Sequence, residues 1–183
     1  MLRRFFASVI DVLEVAVVAV AAVFLIRSFL IQPFLVSGAS MAPNFADGDY
    51  LLIDEITYRF RPPERGEVAV FHYPNNESTY FIKRIIGLPG EEIEIKDGSV
   101  KIVSPKSPEG FTLEEGYLPP NLKTAGDVRL TLTENQYFVL GDNRLYSFDS
   151  RSWGLLSSKE IVGLVRLRLW PVAKVRAFTA PAY

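Results

Sequence analysis

The chain contains no cysteine and a single histidine among its 183 residues. The missing cysteines remove disulfides, Cys-x-x-Cys redox chemistry and thiolate metal sites. With one histidine as well, the usual ligand set of a catalytic zinc ion cannot be assembled. The formal net charge is −1 and no long basic run occurs, so the electrostatic footprint of a nucleic-acid-binding protein is lacking. No block of like charge marks a solvated interaction tail. EF-hand spacing is absent too, and Asp47-Gly48-Asp49 is expected to be a tight turn. Neither a metal nor a cofactor is expected. There is no internal repeat and no low-complexity tract.

What is present begins with an apolar stretch. Val15 to Ile26 is uninterrupted, and its character extends back to Phe5 and forward through Phe29-Leu30-Ile31. A helix crossing a bilayer needs roughly 20 mainly apolar residues, a length reached when Asp11, Glu14 and Arg27 lie towards the two ends. Arg3 and Arg4 place the start on the cytoplasmic side, and Pro33 gives the helix a stop. No clear A-x-A site closes the apolar run, which favours a retained anchor over a cleaved signal peptide. The expected organisation is a cytoplasmic segment over 1–6, a transmembrane anchor over 7–31 and a domain over 32–183. The bilayer is thus an expected partner. The protein is expected in the cell (plasma) membrane, single-pass, with the domain on the extracytoplasmic face.

Past Pro33 the pattern changes to alternation. Tyr50–Ile53, Glu67–Phe71, Tyr80–Ile86, Glu92–Ile95, Gln136–Leu140 and Leu164–Trp170 are short, rich in β-branched and aromatic residues, and separated by Pro, Gly, Asn and Asp clusters. The predicted fold class is mainly β, a coiled antiparallel sheet domain following a single N-terminal transmembrane helix. The segment from about 104 to 127 carries Pro105, Pro108, Pro119 and Pro120. It is expected to be a loop-rich insertion, facing substrate or simply solvated.

Two residues suggest chemistry. Ser40 follows the apolar stretch closely, in Ser37-Gly38-Ala39-Ser40-Met41. A serine hydroxyl needs a base to become a nucleophile. The lone histidine, His72, ends a strand-like run with no orienting carboxylate nearby in sequence, and is expected to be an ordinary strand-end residue. Lys83 is better placed. In an extended strand Phe81, Lys83 and Ile85 share one face, while Ile82, Arg84 and Ile86 share the other. At the ordinary lysine pKa only about one side chain in 2,500 is neutral at pH 7, and burial disfavours the ammonium form. A half-buried lysine that snorkels to water is the plainer outcome of the strand pattern alone. The Gly-x-Ser motif is equally common in plain turns. Its following glycine is replaced by Ala42, so the nucleophile elbow of the α/β-hydrolases is absent.

Taken together, four ordered segments resemble the type I signal peptidases, membrane-bound serine proteases that remove signal peptides from exported preproteins. Ser37-Gly38-Ala39-Ser40-Met41-Ala42-Pro43 looks like the family's serine box. Asp47-Gly48-Asp49-Tyr50-Leu51-Leu52 with Arg65-Gly66-Glu67-Val68 looks like its second region. Tyr80 to Gly90 is similar to the lysine box, and Gly141-Asp142-Asn143-Arg144 through Gly154 to the last one. The resemblance implies that Ser40 is the nucleophile and Lys83 the general base, acting through an acyl-enzyme, with Ser147 orienting the lysine amine. It implies oxyanion donors at the Ser40 amide and around Gly38, where some relatives carry a serine hydroxyl. Arg84, Asp142, Asp149 and Arg151 are implied as structural ion pairs. The implied substrates are preprotein signal peptides ending in an A-x-A-like site.

This chain departs from the family pattern at Asn44-Phe45 and Leu145-Tyr146, which bears on pocket shape and substrate preference. Two other identities remain open at this level: a self-cleaving serine/lysine autoprotease, and a membrane-anchored β-rich binding module without catalysis.

Overall fold

The computed structural model describes residues 11–21, 31–181 and 183. Residues 11–21 form helix α1, and its apolar side chains Val12, Leu13, Val15, Val17, Val18 and Val20 are all exposed. No helix among the described residues is long and apolar enough to cross a membrane. The remainder of the expected anchor, 7–10 and 22–30, lies outside the described residues. Ile31 opens strand β1 (Ile31–Leu35). Pro33 sits inside this strand rather than at a helix end. It is tolerated there because β1 is the outer strand of its sheet, where a missing backbone N–H breaks no ladder.

The elements that follow are β2 (Tyr50–Asp54), α2 (Thr57–Phe60), β3 (Val68–Tyr73), β4 (Asn76–Gly87), β5 (Glu92–Lys96) and β6 (Ser99–Ser104). After them come β7 (Ser107–Thr112), β8 (Val128–Thr131), β9 (Gln136–Leu140), α3 (Ser150–Trp153), β10 (Leu156–Ser157), β11 (Ile161–Trp170) and β12 (Arg176–Ala177). An eight-stranded sheet runs β1-β2-β11-β3-β4-β9-β10, with β12 added to β11. A four-stranded sheet runs β7-β6-β5-β8. The strand pairings of both sheets are antiparallel, in keeping with the mainly β expectation.

Alternation along the strands builds three apolar clusters. Ile93, Ile95, Val100 and Ile102 of the smaller sheet bury against Ile86, Phe138 and Leu140 of the larger one. Leu51, Ile53, Val68, Val70 and Val165 enclose Val36, Met41 and Phe45 from the loop after β1. Ala69, Phe71, Ile85, Val139 and Leu156 form the third. Strand β4 serves two of these faces as its sequence requires. Ile82 packs with Leu51 and Val70, whereas Phe81 and Ile85 join Phe71.

The segment over 104–127 is more than a loop. β7 lies within it and pairs with β6, a strand hidden by the weak β character of Ser-Pro-Glu-Gly-Phe-Thr. β1, β6 and β8 were also not evident from the sequence.

Gly163 in β11 is packed too closely for any side chain. A Cβ there would lie 2.6 Å from the Asp54 carbonyl oxygen and 2.8 Å from an Ile53 methyl. Since backbone cannot swing aside as a side chain does, Gly163→Ala is expected to destabilise the domain by about 1–3 kcal/mol, read as a lower denaturation midpoint at unchanged slope.

Candidate active site

The loop between β1 and β2 turns sharply and carries Ser40. Its shape is set from below by apolar burial, since Met41 and Phe45 are each only 1% exposed. Asp47 and Asp49, in the tight turn expected there, hold the loop by their side chains. The Gly38 N–H donates to Asp47 Oδ1 at 2.7 Å, and the Ala46 N–H donates to Asp49 Oδ2 at 2.9 Å. Gly38 adopts φ +93°, a conformation that favours glycine.

From the neighbouring sheet, β4 delivers Lys83. Its side chain is buried, its Nζ donates to Ser40 Oγ at 2.8 Å and to the Ile82 carbonyl at 2.9 Å. The Phe81 ring lies 5.1 Å from the amine. Burial pushes the Lys83 pKa down to about 8, against the opposing pull of Asp149 and Asp142. An amine in contact with a serine hydroxyl can, once neutral, take the hydroxyl proton.

The third segment, 141–151, locks these two together. Asn143 N–H donates to the Ser40 carbonyl at 3.0 Å, and its side-chain amide donates to the Ala39 carbonyl at 3.0 Å. Arg84, on the strand face opposite Lys83, forms a two-pronged pair with Asp142 at 2.8 and 2.6 Å. Burial alone would lower the Arg84 pKa, but the carboxylate contact holds it raised. Asp149 caps α3 and accepts from the Gly141 N–H at 3.0 Å and from both prongs of Arg151 at 2.8 Å. Burial would raise the Asp149 pKa, yet Arg151 and the Gly141 amide keep it below the usual carboxylate value. Arg84, Asp142, Asp149 and Arg151 thus stand together as two ion pairs flanking Ser40 and Lys83.

The structure differs from expectation at two places. Ser147 Oγ is buried but makes no hydrogen bond; Lys83 Nζ is satisfied by Ser40 and Ile82 instead. Ser147 nevertheless lies against the site, because a Cβ on Gly141 would overlap both Ser147 Oγ and the Ser40 carbonyl oxygen. The Gly38 amide, expected near the second oxyanion donor, is occupied by Asp47. The Ser40 amide, by contrast, bonds to no acceptor among the described residues.

His72 lies within β3, its Nδ1 2.5 Å from the Glu77 carbonyl oxygen and its ring packed on Tyr80. It has no part in the site. Asn44 and Phe45 do not line the cleft. Asn44 donates to Asp142 at 2.8 Å and to the Tyr117 carbonyl at 2.9 Å, and the Phe45 ring packs on Phe178 at 4.5 Å.

One contact had no signal in the sequence. Arg144 is fully buried and pairs with Glu115 through both prongs, one at 2.6 Å, while its Nε donates to the Gly141 carbonyl at 3.0 Å. Thr124 accepts from the same guanidinium at 2.6 Å. The 104–127 segment is therefore tied through Glu115 and Thr124 to segment 141–151 beside the site.

Ser40 and Lys83 open onto a cleft of about 310 Å³. Its lining is aliphatic at Val36, Leu51, Val70 and Ile82 and aromatic at Phe34, Tyr80, Phe81, Tyr146 and Phe148.

Comparison with known proteins matches residues 9–170 to the family model described as signal peptidase, peptidase S26. A probable signal peptidase I-2 of Synechocystis is 38% identical over 163 residues, 86% of this chain and 71% of that protein. Signal peptidase I P of Bacillus subtilis subsp. natto is 34% identical over 184 residues, covering 95% of this chain and 96% of the relative. The crystal structure of a signal peptidase I from Enterococcus faecalis superposes with a TM-score of 0.47 at 32% identity, covering 57% of this chain and 97% of that one.

Because removing one member of a buried ion pair strands the other, Glu115→Ala is expected to cost about 3–5 kcal/mol of stability. Chemical denaturation measures this directly, and a loss below about 1 kcal/mol would show that Arg144 is satisfied without Glu115.

Proposed function

The chain belongs to the signal peptidase family, peptidase S26, and from that membership we propose that it cleaves signal peptides with a Ser40/Lys83 dyad through an acyl-enzyme. The family identity makes it a serine endopeptidase of the signal peptidase I type. The observation that carries the residue assignment is the 2.8 Å contact from buried Lys83 Nζ to Ser40 Oγ.

In this mechanism Lys83 enters neutral and accepts the Ser40 proton as Oγ attacks the scissile carbonyl. The Ser40 amide supplies one oxyanion donor. With the Gly38 amide bound to Asp47, a water supplies the second. Each such donor is worth about 10²–10³ in rate. The Lys83 ammonium then protonates the leaving nitrogen, the C–N bond breaks and the mature chain departs. Lys83 next takes a proton from water, whose oxygen attacks the ester, and returns that proton to Ser40 Oγ. Ser147, its Oγ buried near the Ser40 carbonyl, is assigned to orient the lysine during this cycle. Arg84, Asp142, Asp149 and Arg151 shape the site without reacting. No metal or cofactor takes part.

Small side chains on the acyl side suit the aliphatic wall of Val36, Leu51, Val70 and Ile82, which favours an A-x-A-like site. The apolar run over 7–31 serves as the anchor, with residues 1–6 cytoplasmic and the domain from 32 on the extracytoplasmic face. An exposed apolar row supports a lipid-facing edge beside the cleft. Leu35, Tyr50 and Trp170 stand side by side on β1, β2 and β11.

Detergent-solubilised protein is expected to cut an Ala-x-Ala preprotein once, after the second alanine. Ser40→Ala and Lys83→Ala each abolish the cut while circular dichroism stays unchanged; substantial cleavage by either variant removes that residue from the mechanism. Ser147→Ala is expected to lower kcat and shift its pH dependence.

The pH profile follows from Lys83. Its ammonium is inactive, so kcat/KM rises about tenfold per pH unit below the pKa and levels off above about 8. The same group links to stability. The folded pKa lies below the ordinary lysine value of 10.5, so between about 8 and 10.5 the unfolded chain holds more protons. The Lys83 contribution to stability therefore rises with pH across that window. A kcat/KM profile flat from pH 6 to 9 would contradict a titrating lysine base.

A further inference from the structure

The segment between β7 and β8 sends one side chain onto the ion pairs beside Ser40 and Lys83. Tyr117 sits in a turn closed by the Leu118 N–H on the Glu115 carbonyl at 2.9 Å. The Arg84 guanidinium lies over its ring, 3.9 Å from the centroid, the shortest cation–π contact among the described residues. Each nitrogen of that guanidinium is already engaged. Nε and one terminal nitrogen donate to Asp142, and the other donates to the Gly66 carbonyl at 2.7 Å. Tyr117 therefore closes a face that no hydrogen bond covers, and keeps water off the buried pair.

The backbone and hydroxyl of the same residue reach two further elements. Its carbonyl accepts from Asn44 Nδ2 at 2.9 Å, and that amide also donates to Asp142 at 2.8 Å. Asn44 belongs to the loop carrying Ser40, so Tyr117 touches the serine loop and the lysine strand at once. Its hydroxyl donates to Glu115 at 2.5 Å and accepts from Arg144 at 3.3 Å. Burial pushes the hydroxyl pKa up, with Glu115 adding to it, so the hydroxyl stays a donor. Glu115, Arg144 and Tyr183 are the titratable groups around it. Around Lys83 they are Asp149 and Asp142, each paired with an arginine.

We infer that Tyr117 is a positioning residue for the reaction: its ring and carbonyl together hold Arg84, Asp142 and Asn44 in register, and so keep Ser40 aligned with Lys83. This rests on the dyad assignment above and extends it to a residue outside the cleft lining. Removing the ring admits water to Arg84 and loosens its grip on Asp142. Ser40 Oγ then drifts from Lys83 Nζ, and a displacement of about 1 Å can cost roughly a hundredfold in rate. Of the two carboxylates that oppose burial at Lys83, Asp149 and Asp142, the second is then less well neutralised and raises the lysine pKa.

Full-length protein in detergent is tested on an Ala-x-Ala preprotein peptide, with kcat and KM measured from about pH 6 to 10. Tyr117→Phe keeps the ring and is expected to stay within about threefold of the wild-type kcat. Tyr117→Leu is expected to lose at least about tenfold in kcat with KM changed less than about twofold, as lost alignment requires. The midpoint of its kcat/KM profile is expected above the wild-type position near 8. A role confined to stability would lower the denaturation midpoint of Tyr117→Leu and leave its kcat and pH midpoint in place, overturning the inference. Equal losses in Tyr117→Phe and Tyr117→Leu, or a loss confined to KM, would overturn it too. Where Tyr117→Leu does not fold, pentafluorophenylalanine at position 117 keeps the phenylalanine shape and reverses the charge of the ring face. Turnover slower than that of Tyr117→Phe is then expected, and equal turnover overturns the role of the ring. Failure of the wild type to cut the peptide overturns the dyad mechanism itself, and the role of Tyr117 with it.

Discussion

The Arg84–Asp142 ion pair is the contact on which the geometry of the site depends. Adjacent residues on a strand point to opposite faces, so β4 sends Lys83 into the cleft and Arg84 into the protein. Arg84 grips Asp142 with two prongs, and the residue after Asp142, Asn143, holds the backbone of Ala39 and Ser40. One strand therefore carries Lys83 and fixes the segment that positions Ser40. Asn44 ties the serine loop to the same carboxylate.

The charges around Lys83 follow from this arrangement. Asp149 and Asp142 both pull its pKa upward, yet desolvation outweighs them. Each carboxylate is already committed to an arginine, Asp149 to Arg151 and Asp142 to Arg84. Paired in this way, they do not reverse the effect of burial on the amine. The ion pairs thus shape the site and also leave burial free to favour the neutral lysine.

Much of this was legible in the sequence, for local reasons. Alternation around Lys83 assigned Phe81 and Ile85 to its face and Ile82 to the other, and the packing follows. The serine and lysine segments pointed to one another only through the family pattern, since they are 43 residues apart. What stayed hidden depends on tertiary partners. β1 is apolar and continuous with the stretch before it, so nothing local separates strand from anchor. β7 carries Pro and Gly and owes its pairing to β6. Glu115 and Arg144 look like two surface charges until the fold buries them against each other. The Asp47 bond to the Gly38 amide depends on loop geometry that spacing does not specify. Leu145-Tyr146 was visible as a departure, but only the fold gave Tyr146 a place in the cleft that holds Ser40 and Lys83.

The central claim is that Ser40 becomes covalently acylated because Lys83 removes its proton. The most direct measurement is mass spectrometry of full-length protein mixed briefly at pH 8 with an activated Ala-x-Ala peptide ester, then acid-quenched and digested. The account predicts one added acyl group on the fragment containing Ser40, lost in Lys83→Ala and unchanged by prior treatment with a chelator. Acylation at another residue, or at Ser40 to the same extent without Lys83, would contradict it.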